Sequence, residues 1–375
     1  MNYALLGFLA TLSGVIAAAF MLRQASPTLR AGVSKQTQIE GPVGAFRGLL
    51  AICVFIHHQD FVRGWMESGG WGSNNRFILF LGHGAVFLFL MISGYVFWHR
   101  AKVNGGRMSW PKLVISRIRR LAPAYYFSLC LVLVLSVPAL LAAPLRVSLE
   151  FLLRTLGVGF LWWDMVPGQQ TISLNGHVQF ILFYQWCFYL VMPFLVWCCV
   201  GRRFLPFFIL FSALILLAQR WLGASVWWLA FPPGILMAQI HLPEPMRRFL
   251  TDWRGGLAAF SWAVVILASG GIRWMQFEML AVVPLLWVVV SGNSLFGLLS
   301  WEPLRIFGKI SYSFYLLHVI VILAMARLVR SWLAGQMLGP LAWGALVFVA
   351  TILIALLSAA CWRWVEEPFR KSSAS

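Results

Sequence analysis

An all-α, polytopic transmembrane helical bundle of about eleven spans is the fold this sequence predicts, on three observations. Hydrophobic residues make up 61% of the 375 positions and charged residues 11%, against roughly a quarter charged in soluble domains. Apolar stretches of roughly 18 to 25 residues recur along the chain, each long enough to cross a bilayer as a helix. The basic residues, which set a formal net charge of +18, fall in short clusters between those stretches. Charge distributed this way follows the positive-inside rule and argues against nucleic-acid binding, which would gather the cations on one soluble face.

Hydropathy places spans near residues 1–22, 45–62, 77–98, 121–143, 178–200, 204–222, 225–242, 256–272, 275–295, 308–328 and 340–364. The first has no basic leader, exceeds a usual signal-peptide core and lacks a convincing small-residue cleavage site, so it is expected to be a retained helix. The second contains "FRGLLAICVFIHHQDF", Phe46 to Phe61, with ionisable groups at both ends. The third carries His83 toward its outer half, and the fourth follows the basic stretch "SRIRRLAPAY". Between the fourth and fifth lies a long segment, Pro144 to His177, that is aromatic and Gly-rich with no clean span. Loops of that length are usually functional or re-entrant. Its Trp162 and Trp163 suit a membrane interface, and Asp164 is an external acid. Pro232 and Pro233 in "FPPG" are expected to kink or break the seventh span. Glu278 opens the ninth span as a second near-external acid, and His318 falls in the middle of the tenth. The six cysteines, Cys53, Cys130, Cys187, Cys198, Cys199 and Cys361, lie in or beside apolar spans without C-x-x-C or metal-ligand spacing. They read as small hydrophobes, and no metal is expected.

Basic residues set the orientation. With the N-terminus outside, the inward-facing segments hold 21 of the 29 Lys and Arg. The expected topology is therefore N-terminus out and C-terminus in.

Ionisable residues inside spans are costly and usually face a cavity or a partner. Arg47 and His58 are eleven positions apart, nearly the same face of one helix, with an axial rise of about 16 Å. His57 points about 100° away, and Asp60 lies two positions beyond His58. Arginine binds phosphate or carboxylate through a fork of hydrogen bonds, and histidine exchanges protons near neutrality. A long anionic molecule entering at the inner end could place phosphate on Arg47 and a reactive end near His58. A plain anchoring arginine and a packed histidine give the same spacing.

Five stretches in order resemble the integral-membrane acyltransferase family 3, whose members include polysaccharide O-acetylases. "FRGLLAICVFIHH" fits that family's arginine, ten residues, histidine, which selects His58 over His57. "GAVFLFLMISGYVF" contains Ser93 and is similar to an aromatic-rich segment ending in Ser-Gly-aromatic. "SRIRRLAPAYY" supplies Arg117, Arg119 and Arg120 in a matching basic stretch. "FGKISYSFYLLHVIV" carries Tyr312 and His318 in the family's Ile-Ser-Tyr-Ser and Leu-x-His pattern, and "VEEPFRK" resembles its Pro-Phe ending. One departure is "YQWCFYLVMPF", where Gln185, four residues before Tyr189, stands in place of a family Glu. Glutamine hydrogen-bonds but is neither a base nor charged.

The resemblance covers about residues 43–371, leaving 1–42 as an extra helix with a linker and 372–375 as a short inner tail. It implies a ten-helix acyltransferase core and transfer of an acyl group, most often acetyl, from cytoplasmic acetyl-CoA to a hydroxyl of an extracytoplasmic or lipid-linked glycan such as O-antigen. No permanently bound cofactor is implied, since acyl-CoA is the donor substrate. Arg47 with Arg117, Arg119 and Arg120 would hold the CoA phosphates. His58 would act as general base or as transient acyl carrier. His57, Asp60, Ser93, Gln185, Tyr189, Tyr312 and His318 would support the site. The setting implied is a bacterial inner membrane, with the bilayer, acyl-CoA and a glycan acceptor as partners. No soluble domain follows the membrane part, so a separate periplasmic partner is a further expectation. A transporter of a lipid-linked glycan or small anion explains the spans and buried cations as well. It does not explain the five ordered motifs, and an envelope scaffold leaves the histidines unexplained.

Overall fold

The computed structural model describes residues 2–27, 29, 40–161, 175–199, 204–223, 225–268, 275–333, 336 and 338–371. Among them the chain is helical, with no strand. The helices are α1 (Tyr3–Ala25), α2 (Glu40–Ser68), α3 (Arg76–Val103), α4 (Trp110–Ala142), α5 (Leu145–Thr155), α6 (Phe180–Cys199), α7 (Phe204–Leu222), α8 (Phe231–Gln239), α9 (Glu244–Thr251), α10 (Trp253–Ala268), α11 (Met275–Val290), α12 (Glu302–Trp332), α13 (Pro340–Cys361) and α14 (Glu367–Lys371). Among the described residues eight helices are long and apolar enough to cross a membrane. The protein is a multi-pass membrane protein.

The outward faces agree with lipid. On α7 the side chains of Leu205, Ile209, Leu210, Leu214, Leu216 and Leu217 are all exposed. On α1 the exposed stripe is Leu5, Leu9, Leu12, Ile16 and Phe20, while Gly7, Thr11, Gly14 and Ala18 turn inward. Large residues outward and small ones at helix contacts is the reverse of a soluble helix and the pattern expected in a bilayer.

Several expected elements take a form of their own. The seventh span, 225–242, is no single crossing helix but a tight 3-10 turn, Val226–Ala230, followed by the nine-residue α8. Pro232 and Pro233 lie in the first turn of α8, where a missing N–H costs no intrahelical bond. The eighth and ninth spans are described over Trp253–Ala268 and Met275–Val290, and residues 269–274 between them lie outside the described residues. The segment after the fourth span begins with helix α5, whose Tyr125 Oη→Thr155 O bond of 2.8 Å ties it to α4. Trp162, Trp163 and Asp164 lie outside the described residues. Helix α2 runs past its predicted end because Arg63 and Glu67, one turn apart, pair at 2.6 Å and keep it wound.

The chain forms two compact units. The first contains residues 1–82, 117–180 and 299–375; the second contains 83–116 and 181–298. In the second, α3 and α8 pass so closely that Gly94 meets the Phe231 carbonyl and Gly234 overlies Met91. Trp98 there donates to Gln239 (3.0 Å), and Lys102 donates to the Gln239 carbonyl (2.8 Å), closing the end of α8.

The first unit is organised on α2 and α12. A β-carbon on Gly48 would fall 2.6 Å from the Gly308 nitrogen, and one on Gly308 would overlap the Gly44 carbonyl. Gly44 and Gly48 form a G-x-x-x-G pair, the spacing that lets membrane helices meet backbone to backbone. Beyond this contact Phe55 packs edge-on against Phe314, with centroids 5.9 Å apart. The paired positions rise together, so α2 and α12 run parallel. Helix α1 packs on α13 in the same manner, with Gly14 against Thr351.

Gly308→Val should lower the detergent-solubilised unfolding midpoint by several degrees, since overpacking a helix contact costs about 1–3 kcal/mol. Gly344→Ala, whose added carbon meets its nearest neighbour at an ordinary 3.8 Å, should leave the midpoint unchanged or raise it. Equal midpoints for the two variants would remove the glycine contact as the organising feature.

Candidate active site

His58 lies ten residues beyond Gly48 on α2, and His318 lies ten residues beyond Gly308 on α12. Two parallel helices pinned at the glycines therefore bring these imidazoles level. His318 Nε2 is 3.1 Å from His58 Nδ1, with ring centroids 4.9 Å apart. His318 is wholly buried, and His58 is half-buried.

The surrounding acceptors fix the protons. His318 Nδ1 faces the Tyr315 carbonyl at 2.7 Å, and His58 Nδ1 faces the Val54 carbonyl at 3.0 Å. A carbonyl oxygen only accepts, so both Nδ1 atoms carry hydrogen. The single hydrogen on His58 Nδ1 is then shared between the Val54 carbonyl and a bare His318 Nε2 in a three-centre bond. The basic lone pair of His58 is consequently on Nε2. If that atom takes a proton, the ring becomes a cation whose Nδ1–H bond to His318 strengthens through charge. The pair is built to let His58 accept a proton at one defined atom.

His57, its sequence neighbour, has a different setting. Its Nδ1 is 3.1 Å from the Ile78 carbonyl, and its ring lies against Gly82, where any β-carbon would overlap it. It is 7% exposed and stacks near Phe61 at 4.3 Å. Asp60 does not orient a histidine: Arg63 Nε donates to it at 3.1 Å and Ser73 donates to its other oxygen. Two positions along a helix turn its carboxylate away from His58.

Arg47 is half-buried on α2, separated from His58 by unbroken helix, so the rise of about 16 Å holds. Arg117 and Arg120 are half-buried and Arg119 is exposed, all in the first unit on α4. Tyr312 donates to the Leu121 carbonyl at 2.9 Å, tying α12 to that basic stretch. Helix α12 thus holds a tyrosine at the arginine cluster and, about 9 Å of helix further on, a histidine at His58.

Ser93, Gln185 and Tyr189 belong to the second unit. Ser93 bonds back to the Phe89 carbonyl of its own helix at 3.1 Å, a packing role. Gln185 is half-buried on α6, and Tyr189 is buried against Phe97 at 4.7 Å. His83 pairs with the buried Glu278 at 2.9 Å, also in the second unit, joining two residues that the sequence offered separately. Sequence reasoning had His58 and His318 as individual candidates and missed their pairing. The equal ten-residue offset from a glycine contact was the signal for it.

A family model described as "Acyltransferase domain" matches residues 43–360 of the chain. No curated protein and no solved structure matches it.

The tautomer assignment has a direct readout. In protein with ¹⁵N-labelled histidine near pH 8, His58 should show a protonated Nδ1 and a bare Nε2. His318→Ala should collapse that preference toward a tautomer mixture. A protonated Nε2 on wild-type His58 would refute the assignment.

Proposed function

The chain belongs to acyltransferase family 3, and from that membership we propose that it moves an acetyl group from cytoplasmic acetyl-CoA to a hydroxyl of an extracytoplasmic or lipid-linked glycan. The observation that carries the mechanism is the His58–His318 pair, which leaves a defined basic atom on a membrane helix. Family membership also sets aside a transporter reading of the buried cations.

His58 Nε2 takes the proton of the glycan hydroxyl as that oxygen attacks the thioester carbonyl. The carbon–oxygen bond forms and a tetrahedral centre results. The carbon–sulfur bond then breaks, and the CoA thiolate leaves with the proton held on His58 Nε2. The products are the O-acetyl ester and CoA, and the imidazole returns to its starting tautomer. His318 is a positioning residue: it never touches the substrate, and its Nε2 steadies the His58 cation between the two steps. Arg47, Arg117, Arg119 and Arg120 supply four cations for the donor's phosphates at the end of the helices away from His58. The pantetheine arm is long enough to span the rise between Arg47 and His58.

The positive-inside bias supports an inner-membrane orientation with the N-terminus outside. That places Arg47 on the cytoplasmic side, where CoA is found, and the far end of α2 outside.

In inverted vesicles supplied with acetyl-labelled acetyl-CoA, His58→Ala should lower label transfer into envelope glycan by roughly 10²–10⁴-fold, the usual contribution of a general base. His57→Ala should stay within about tenfold of wild type. Arg47→Ala should raise the acetyl-CoA KM with a smaller effect on kcat. Full activity in a folded His58→Ala protein would exclude the mechanism, and an unchanged acetyl-CoA KM in Arg47→Ala would exclude the donor route.

A further inference from the structure

The first unit contains a cavity of ≈ 820 Å³ at the end of α2 remote from Arg47. Its walls come from three pieces of chain: the C-terminal turns of α2, the 69–75 loop, and the first residues of α1, Asn2, Tyr3 and Ala4. We propose that this cavity is the acceptor subsite, that it takes an uncharged sugar ring, and that α1, which precedes the region matched to the family, supplies one wall and part of the specificity. The inference rests on the glycan transferase reading and extends it to a place and a chemistry.

Its lining matches a sugar and not a CoA. A pyranose offers a flat C–H face and a rim of hydroxyls. Trp71 lines the cavity, and its ring centroid is 6.4 Å from that of His58 and 5.7 Å from that of Phe61. An indole there provides an apolar platform beside the reacting histidine. Around it stand Asp60, Arg63, Glu67 and Asn74, with donors and acceptors for hydroxyls. Among the described residues the two carboxylates share one guanidinium: Arg63 reaches Asp60 at 3.1 Å and Glu67 at 2.6 Å. That balance disfavours an anionic ligand. Arg47 lies at the other end of α2, and Arg117, Arg119 and Arg120 lie on α4 outside the cavity lining, so the two substrates are sorted by charge.

The walls are also held in place before any ligand arrives. Ser68 Oγ accepts from the Gly70 nitrogen (3.3 Å), Ser73 Oγ from that of Asn75 (3.0 Å), and Asn75 Oδ1 from that of Phe77 (3.0 Å). The loop is fixed by its own short side chains. The Arg63 guanidinium lies over the Tyr3 ring at 5.4 Å, and the Tyr3 hydroxyl donates to the Leu338 carbonyl at 2.9 Å. Tyr3 therefore both anchors α1 and holds Arg63 where it bridges the carboxylates. A preformed pocket loses less entropy on binding. Its volume suits one or two sugar rings, within the usual range for small-ligand sites.

The test uses the full-length protein in nanodiscs, acetyl-labelled acetyl-CoA and polysaccharide isolated from the envelope of the source cells. Wild type, Trp71→Ala, Trp71→Phe and Tyr3→Ala are titrated separately in polysaccharide and in acetyl-CoA. Trp71→Ala and Tyr3→Ala should raise the polysaccharide KM roughly tenfold, as for loss of a binding anchor, and leave the acetyl-CoA KM in place. Trp71→Phe should recover most of the loss, which a folding defect would not permit. Polysaccharide KM values within twofold of wild type in both alanine variants would overturn the subsite while leaving the transferase reading intact. Wild-type protein that labels no polysaccharide would overturn the glycan acceptor and this subsite together. Absence of CoA release would sink the transferase reading itself.

Discussion

The approach of α2 to α12 through Gly44, Gly48 and Gly308 is the contact on which the candidate site depends. In lipid there is no hydrophobic force to press apolar helices together, so they associate where backbones can come close. Here closeness at one level sets the register at another. Because the helices run parallel with the same rise, ten residues from each glycine arrive at one height, and His58 meets His318. A one-residue slip of either helix would turn its histidine through about 100° and separate the rings. Phe55 and Phe314 fill the interval between the glycines and the histidines, and Phe307 beside Gly308 packs on Phe314, which keeps the crossing stiff.

The same geometry explains how two imidazoles tolerate a membrane helix. Each Nδ1 uses a carbonyl of its own helix as acceptor, Val54 for His58 and Tyr315 for His318. In a continuous helix such a carbonyl already accepts a bond from the residue four positions on, and its second lone pair serves the side chain. The rings therefore impose a hydrogen-bond direction on each other without any carboxylate, whose burial would be costly without a counter-charge. Asp60, the nearest acid in sequence, is directed to Arg63 and Ser73 at the rim of the cavity.

The sequence made the fold class legible because a bilayer demands long apolar helices, and that demand is written in composition. It also separated His58 from His57, through the resemblance, and the structure gives the two rings different surroundings. Less legible were elements governed by contact alone. The 225–242 stretch has enough apolar residues for a span, yet Pro232 and Pro233 start a new helix there. Helix α5 reads as loop because its apolar residues are too few for a span, though Leu145, Leu149, Leu152 and Leu153 share one exposed face while Phe151 is buried on another. The histidine pairing was hidden because it joins residues 260 positions apart. Trp71 was passed over because its neighbours His58 and Phe61 meet it only through the folded loop.

On the proposed mechanism, a base set beside a thioester raises a problem of competition. Water is smaller than a sugar, far more concentrated, and as easily activated by His58 Nε2. Specific transfer requires that the sugar hydroxyl be held at the reacting distance when the donor arrives, since positioning alone can be worth several orders of magnitude. It also requires that the donor's entrance not admit the acceptor. On the proposed mechanism Arg47 with the α4 arginines at one end, and the Asp60–Arg63–Glu67 cluster beside Trp71 at the other, would meet both conditions. On this reading α1 is no spare anchor. By placing Tyr3 against Arg63 it completes the wall that would hold the sugar against Trp71, the lining residue whose ring neighbours His58.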